Sequence, residues 1–266
     1  MPNPTRSLLD VRKVYLVGAG PGDPGLLTCK AFQLLQKADV VVYDRLVSAE
    51  VLAVVNPAAT LIFAGKLQGE QERIQTEIHA HLLTHATSNK TVVRLKGGDP
   101  MVFGRGAEEW AFLIRHGIDV ELVPGISSSL AVPALAGIPV TLRGVAASFA
   151  VIAGHRRNLE SQEWSRYRLV DTLVLLMAVE NRAAIAAQLI RAGRGADEPA
   201  AFIERGATDR ERVVITTLGA IARGQVAVRA PAVLVVGQVV RMRRHLQRIV
   251  SETAPVREPE AIHAVR

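Results

Sequence analysis

Short apolar runs alternate with helical apolar spacings along the first half of this chain. Val14-Tyr15-Leu16-Val17 reads as a buried strand, after which Leu27, Ala31, Leu34, Leu35 and Ala38 recur at helical spacing. Further strands are predicted at Val40–Tyr43, Leu61–Ala64, Thr91–Leu95 and Val120–Val123. Between them Ile74, Ile78 and Leu82 mark one helix face, and a second helix runs from about Ala107 to Arg115. Asp23 before Pro24 reads as an N-cap with proline in the first helical position. Strand–helix alternation with glycine and proline at the strand ends predicts a mostly parallel sheet covered on both faces. Ligands on such sheets sit beyond the carboxyl ends of the strands.

The pattern pauses between Pro139 and Ser148 and then resumes. Strands are predicted at Phe149–Ala153, Thr172–Met177, Ala200–Glu204, Val213–Thr217 and Ala232–Val236, with helices at Arg182–Arg191 and Gly237–Ile249. The polar turn Thr208-Asp209-Arg210 makes a hairpin of two of these strands, so the second sheet is expected to be mixed. The fold class is α/β with two domains, residues 1–144 and 145–250. The aperiodic stretch 251–266 is expected to be a disordered tail.

At 266 residues the chain has the length of two small domains. Only 4% of residues are aromatic, so the core must be built from Ala, Val, Leu and Ile. A single cysteine, Cys29, excludes an internal disulfide and a multi-cysteine metal site within one chain. No apolar stretch has the length of a membrane span, and Met1–Lys13 has no signal-like apolar core. A cytoplasmic protein without a membrane partner is expected. A net charge of +7 implies affinity for anions without saying which. Arg241, Arg243, Arg244 and Arg248 have no interleaved aromatics, so they read as a surface or a helix C-terminal charge effect, not as a nucleic-acid patch.

Three strand-end loops carry the candidate chemistry. Gly18-Ala19-Gly20-Pro21-Gly22-Asp23 departs from the dinucleotide fingerprint, because Asp23 replaces the third glycine and Pro21 lacks an N–H. Three glycines exceed what a turn needs and imply close approach to something. Lys96-Gly97-Gly98-Asp99-Pro100, followed by Gly104-Arg105-Gly106, is not a phosphate loop. It predicts a polar ligand lying on bare backbone, with Asp99 taking hydroxyl or amino donors. The serines of Pro124-Gly125-Ile126-Ser127-Ser128-Ser129 either touch that ligand or cap a helix. His81 and His85 share a helix face with His79 nearby, but no carboxylate completes a metal motif, and no metal is expected.

In order along the chain these loops resemble the tetrapyrrole methyltransferases, from about Val14 to Arg241. The first loop and Gly97-Gly98-Asp99-Pro100 are shared across that family and by diphthine synthases. Tyr43-Asp44-Arg45-Leu46-Val47-Ser48 and Val102-Phe103-Gly104-Arg105-Gly106 resemble its uroporphyrinogen-III C-methylating branch. Gly65-Lys66, Val123–Ser128 and Ala136–Thr141 extend the likeness.

The resemblance implies S-adenosylmethionine as methyl donor and S-adenosylhomocysteine as product, in a cleft between the two domains. It also implies a homodimer and methylation of polyacidic uroporphyrinogen III at positions 2 and 7 to precorrin-2, for sirohaem or cobalamin synthesis. Carried over by motif, the cofactor-binding positions are Pro21, Gly97, Gly98, Asp99, Val102, Ser127, Ser128, Met177 and Gly206. The proton acceptor falls on Asp44 and the proton donor on Lys66. Leu67, Gln71, Leu142 and Ala178 depart from the family pattern. Methylation of a later precorrin, non-catalytic tetrapyrrole binding, and a surface ion pair between Asp44 and Arg45 stay open as alternatives. Arg45, Lys66, Lys96, Arg105 and Arg143 near the strand ends suit a polyacidic ligand.

Overall fold

Val40-Val41-Val42 is buried on both faces, as an inner strand of a covered parallel sheet must be. The computed structural model describes residues 12–64, 71–86, 90–155 and 162–253. The first sheet contains β1 (Lys13–Gly18), β2 (Val40–Tyr43), β3 (Thr60–Phe63), β4 (Val92–Lys96) and β5 (Asp119–Val123). All four of its pairings are parallel, in the order β3-β2-β4-β1-β5. Four helices alternate with these strands: α1 (Cys29–Lys37), α2 (Ala49–Leu52), α3 (Gln71–His85) and α4 (Gly106–Arg115).

Side-chain alternation sorts this sheet into two apolar layers. Val17, Val41, Val93 and Leu95 pack with Ala31 and Leu35 of α1 on one face. Leu16, Val42 and Val92 pack with Ile78 and Leu82 of α3 and Leu113 of α4 on the other.

The second sheet holds β6 (Phe149–Ala153), β7 (Thr172–Leu176), β8 (Pro199–Glu204), β9 (Arg212–Thr217) and β10 (Ala232–Val236). Its order is β6-β7-β10-β8-β9; only β6–β7 is parallel, so the sheet is mixed, and β8–β9 is the expected hairpin. Helix α6 (Arg182–Arg191) buries Ile185 and Leu189 against Leu173, Phe202 and Leu234, while α7 (Leu218–Ala222) follows β9. Helix α5 (Ser128–Leu135), which leaves the first sheet after β5, buries Val132 against Val174, Ile203 and Val235 of the second. Among the described residues no helix is long and apolar enough to cross a membrane.

Asp23 is an N-cap with Pro24 in the first helical position, as expected, accepting from Gly25 N at 2.7 Å, but the helix it starts is the single turn Pro24–Leu26. The chain becomes extended at Leu27, and α1 starts afresh at Cys29 with Thr28 as its own N-cap. The arginines 241, 243, 244 and 248 do not sit at a helix C-terminus, because α8 (Arg241–Thr253) begins with the first three and carries Arg248 in its interior. The favourable end is on another helix: Arg243 donates to the Ala136 carbonyl, where α5 terminates. Ser251–Thr253 belong to α8, and the rest of the expected tail lies outside the described residues.

Candidate active site

The three glycine-rich loops follow β1, β4 and β5, which are neighbours in the first sheet. Their glycines are needed because the three backbones lie against one another. A Cβ on Gly18 would stand 2.5 Å from Gly125 N, and one on Gly125 would stand 2.3 Å from Gly98 O. Gly20 and Gly98 exchange backbone hydrogen bonds of 2.7 and 3.1 Å. The close approach predicted for the first loop is thus an approach to the other two loops.

Asp99 is part of this knot. Its carboxylate accepts from Met101 N at 2.8 Å and from Gly125 N at 3.1 Å, tying the loop after β4 to the loop after β5. Each oxygen thus accepts one backbone N–H and keeps a further acceptor position. Gly97 is also explained internally, since a Cβ there would lie 2.8 Å from Leu46 Cβ. Gly98 differs. Its φ is +68°, and the nearest atom to a Cβ built on it is Ser128 N at 3.6 Å, so a gap stays open between them.

The Tyr43–Ser48 stretch closes over the same loops. Ser48 caps α2 through Val51 N at 3.1 Å, and its hydroxyl donates to Gly22 O at 2.6 Å. Asp44 accepts from Leu46 N at 3.2 Å, an Asx-turn that fixes the start of the segment. Its ion-pair partner is Arg94 on β4 at 3.7 Å, in place of the neighbouring Arg45.

A cavity of about 370 Å³ is lined by Met101, Val102, Phe103, Ser127, Ser129, Leu130, Phe149 and Val151. Val102 and Ser127 therefore border open space. Gly97, Gly98, Asp99, Ser127 and Ser128 are brought together around the ends of β4 and β5, and Pro21 sits between Gly20 and Gly22 of the adjoining loop. Ser127 is also the N-cap of α5, bonded to Ser129 N and to the Ser129 hydroxyl. The loop after β8 joins from the second sheet. Gly206 fits only because it lacks a side chain, since its Cβ would meet Val132 Cγ1 at 2.3 Å, while Gly22 faces Thr208 and Ala207. Met177 follows β7 directly, half exposed at φ +57°, and is not among the residues lining the cavity. Lys66 and Leu67 lie outside the described residues.

Two features escaped the sequence reading. Five non-glycine residues have positive φ: Phe103, Arg105, Met177, Arg205 and Ala207. Met177, Arg205 and Ala207 lie just beyond the ends of β7 and β8, and Phe103 and Arg105 lie in the loop that leads into α4; such conformations each cost on the order of 1–3 kcal/mol. The second feature is a buried charge cluster under Asp44. Glu109 of α4 accepts from Arg94 Nε at 3.2 Å, from Arg94 Nη2 at 3.3 Å and from Lys96 Nζ at 2.8 Å. Burial favours the neutral acid, yet the Arg94 and Lys96 charges prevail and hold the Glu109 carboxyl below its ordinary range. Burial, reinforced by the Arg94 charge, pushes the Lys96 ammonium down despite Glu109. Lys96 is therefore committed internally, and Arg105 is paired with Glu108, so neither is simply held out toward an anion.

The histidines of α3 do not assemble a metal site. His79 stacks on Phe112 with centroids 3.7 Å apart, and no group of three His, Cys, Asp or Glu among the described residues is arranged for a metal ion.

The family model for tetrapyrrole (corrin/porphyrin) methylases matches residues 13–222. A uroporphyrinogen-III C-methyltransferase of Bacillus subtilis is 42% identical over 245 residues, covering 90% of this chain and 95% of its own. A siroheme synthase of Edwardsiella ictaluri is 45% identical over 239 residues, and the chain spans about half of it, 52%. A solved uroporphyrin-III C-methyl transferase of Thermus thermophilus, complexed with S-adenyl homocysteine, is 47% identical. It aligns over 86% of this chain and 93% of its own with a TM-score of 0.75.

Proposed function

The chain belongs to the tetrapyrrole methylases, and from that membership we propose that it methylates uroporphyrinogen III at positions 2 and 7, with S-adenosylmethionine as donor, to give precorrin-2. The observation that carries the reading is the junction of the Tyr43–Ser48 stretch with two glycine loops, through Ser48 on Gly22 and Leu46 on Gly97. It sets Asp44 beside the loops that the resemblance nominates for the donor.

The residues present suit such a donor. A cavity of about 370 Å³, within the range of small-molecule sites, is bordered by Val102 and Ser127 of the loops after β4 and β5, and Gly98 packs near Ser127 and Ser128 with room for a methyl group. Its lining combines apolar Met101, Val102 and Phe103 with the Ser127 hydroxyl. We assign donor binding to Pro21, Gly97, Gly98, Asp99, Val102, Ser127, Ser128, Met177 and Gly206. The internal bonds of Asp99 and the close packing of Gly97 make their part the shaping of the loop. When bound, the donor supplies an electrophilic methyl on a sulfonium.

The nucleophile is an electron-rich pyrrole carbon of the substrate, so no activated serine or cysteine is required. The protein's task is orientation at near-attack distance. Positive charge develops on the tetrapyrrole as its carbon is methylated. The Asp44 carboxylate opposes that charge and takes up the departing ring proton. Lys66, the proton donor by resemblance, would in the transfer written here set a cation beside the substrate's acid side chains. We place the site in a cleft between domains 1–144 and 145–250, in a cytoplasmic homodimer.

Incubation of the purified protein with uroporphyrinogen III and S-adenosylmethionine tests the reading by product mass. A product carrying two added methyl groups is expected, formed roughly 10²-fold or more slowly with Asp44→Asn, the cost of losing a positioned proton acceptor. Unchanged substrate mass with wild-type protein would refute the assignment. A methylated later precorrin would move it to another branch of the family.

A further inference from the structure

We infer that Arg94 is a positioning residue for the proton acceptor: its guanidinium, gripped by Glu109, holds the Asp44 carboxylate at the edge of the methyl-transfer site. The inference rests on the assignment of Asp44 proposed above. Its grounds are a count of donors. A guanidinium has five N–H groups. Nε and one Nη2 proton go to Glu109, and the two Nη1 protons serve Val42 O at 3.3 Å and Leu95 O at 3.1 Å. The remaining Nη2 proton has no hydrogen-bond partner among these, and Nη2 lies 3.7 Å from Asp44 Oδ2, an ion-pair contact beyond hydrogen-bond distance.

Burial separates the members of this cluster. The Arg94 side chain is 2% exposed and that of Glu109 0%, whereas Asp44 is 27% exposed. Asp44 is thus the member that meets solvent or substrate. The other carboxylate, Glu109, anchors two cations from below, with Gln75 Nε2 as a further donor at 3.3 Å.

A structural strand position would be served by the residues flanking it, Val92, Val93 and Leu95. A buried ion pair is seldom more stabilising than apolar packing of the same volume. A planar fork, in contrast, fixes the direction of each bond it makes. The same cluster spans the loop of the donor site: Lys96 precedes Gly97 and Glu109 follows Gly106, so their 2.8 Å bond closes that loop at its base. Arg94 and Lys96 lie two apart on β4 and face one carboxylate, so Asp44 and the Gly97–Val102 loop take their positions from the same group.

A double-mutant cycle tests this with the full chain. Turnover of uroporphyrinogen III and calorimetric affinity for S-adenosylhomocysteine are measured in wild type, Arg94→Met, Asp44→Asn and the double variant. Arg94→Met should lower kcat roughly 10- to 100-fold, the size expected when a reacting group is misplaced. Affinity for S-adenosylhomocysteine and KM for uroporphyrinogen III should stay within a few-fold. With Asp44→Asn already present, Arg94→Met should lower kcat no further, because it acts through a carboxylate that is gone. Multiplying losses, or an unchanged kcat in Arg94→Met alone, overturn the inference and leave Asp44 as proton acceptor. An unchanged kcat in Asp44→Asn overturns that assignment and the inference with it. Should Arg94→Met fail to fold, Arg94→Lys keeps the charge against Glu109, loses the fork, and enters the same cycle under the same criteria.

Discussion

Gly18 and Gly125 face each other where β1 and β5 end, with no room for a side chain on either: a Cβ on Gly18 would lie 2.5 Å from Gly125 N, and one on Gly125 2.8 Å from Gly18 Cα. Both obstacles are backbone, which cannot rotate aside. Gly18→Ala or Gly125→Ala should therefore destabilise the fold by about 2–3 kcal/mol, the cost of overpacking. Each should also weaken S-adenosylhomocysteine binding, because Gly98 O is among the atoms displaced. Urea denaturation and calorimetry measure the two effects; wild-type values in both would show that the loops separate freely.

Gly98→Ala should behave differently. A methyl there meets Ser128 N at 3.6 Å and Ser127 Cα at 3.9 Å, both ordinary contacts, so the fold tolerates it apart from the left-handed φ of +68°. That conformation costs an L-residue about 1–2 kcal/mol. The methyl occupies the gap assigned to the donor, so affinity for S-adenosylhomocysteine should fall by about tenfold or more, equal to about 1.4 kcal/mol. A folded variant with wild-type affinity would make this glycine a turn residue only.

Glu109 links stability to acid. Its carboxyl is held below the ordinary 4.5 in the folded protein, so the stability it contributes is complete above that pH and is lost as pH falls through the folded value. Glu109→Gln should be less stable at neutral pH. Its unfolding free energy should also change less than wild type between about pH 5 and about pH 3. Glu121 and Glu204, held low by Lys13 and Arg212, retain some acid sensitivity in both proteins. Parallel pH curves would mean that the cluster exchanges no proton with unfolding.

The net charge of +7 should act on encounter with a polyacidic tetrapyrrole. Arg45 and Arg143 are exposed, whereas Lys96 is buried on Glu109. Raising ionic strength from about 0.05 to about 0.5 M should lower kcat/KM several-fold and leave kcat nearly constant. Stopped-flow or initial-rate measurements read the split; a salt-independent kcat/KM would remove charge steering from the account.

The strands were legible because they are short, unbroken apolar runs between polar or glycine-containing stretches. Val40–Tyr43 and Phe149–Ala153 coincide with β2 and β6 as printed in the sequence. Helix starts were less legible, since Asp23 and Thr28 are both good caps and only the extended conformation at Leu27 decides between them. The role of Asp99 was hidden for a different reason. Its partner Gly125 belongs to β5's loop, and nothing local in either segment says that β1 lies between β4 and β5. Arg94 and Lys96 could be seen as same-face charges in an apolar strand, an anomaly that marks a buried network. That Glu109 answers them depends on how α4 docks. The motif positions Gly98, Val102, Ser127 and Ser128 came from resemblance, and their being neighbours in space is a finding of the fold.

The strand order also governs when the protein can form during synthesis. Val14 pairs on one side with Val92 and on the other with Val120, so the first strand made is flanked by two strands made much later. A nascent chain that has not yet delivered β5 presents β1 with an open edge, and one that has not delivered β4 presents β1 and β2 with no strand to join them. Unpaired edges of apolar strands are where chains stick to one another. The stretch of translation between delivery of β1 and delivery of β5 is the interval in which these strand edges most need shielding at the ribosome exit.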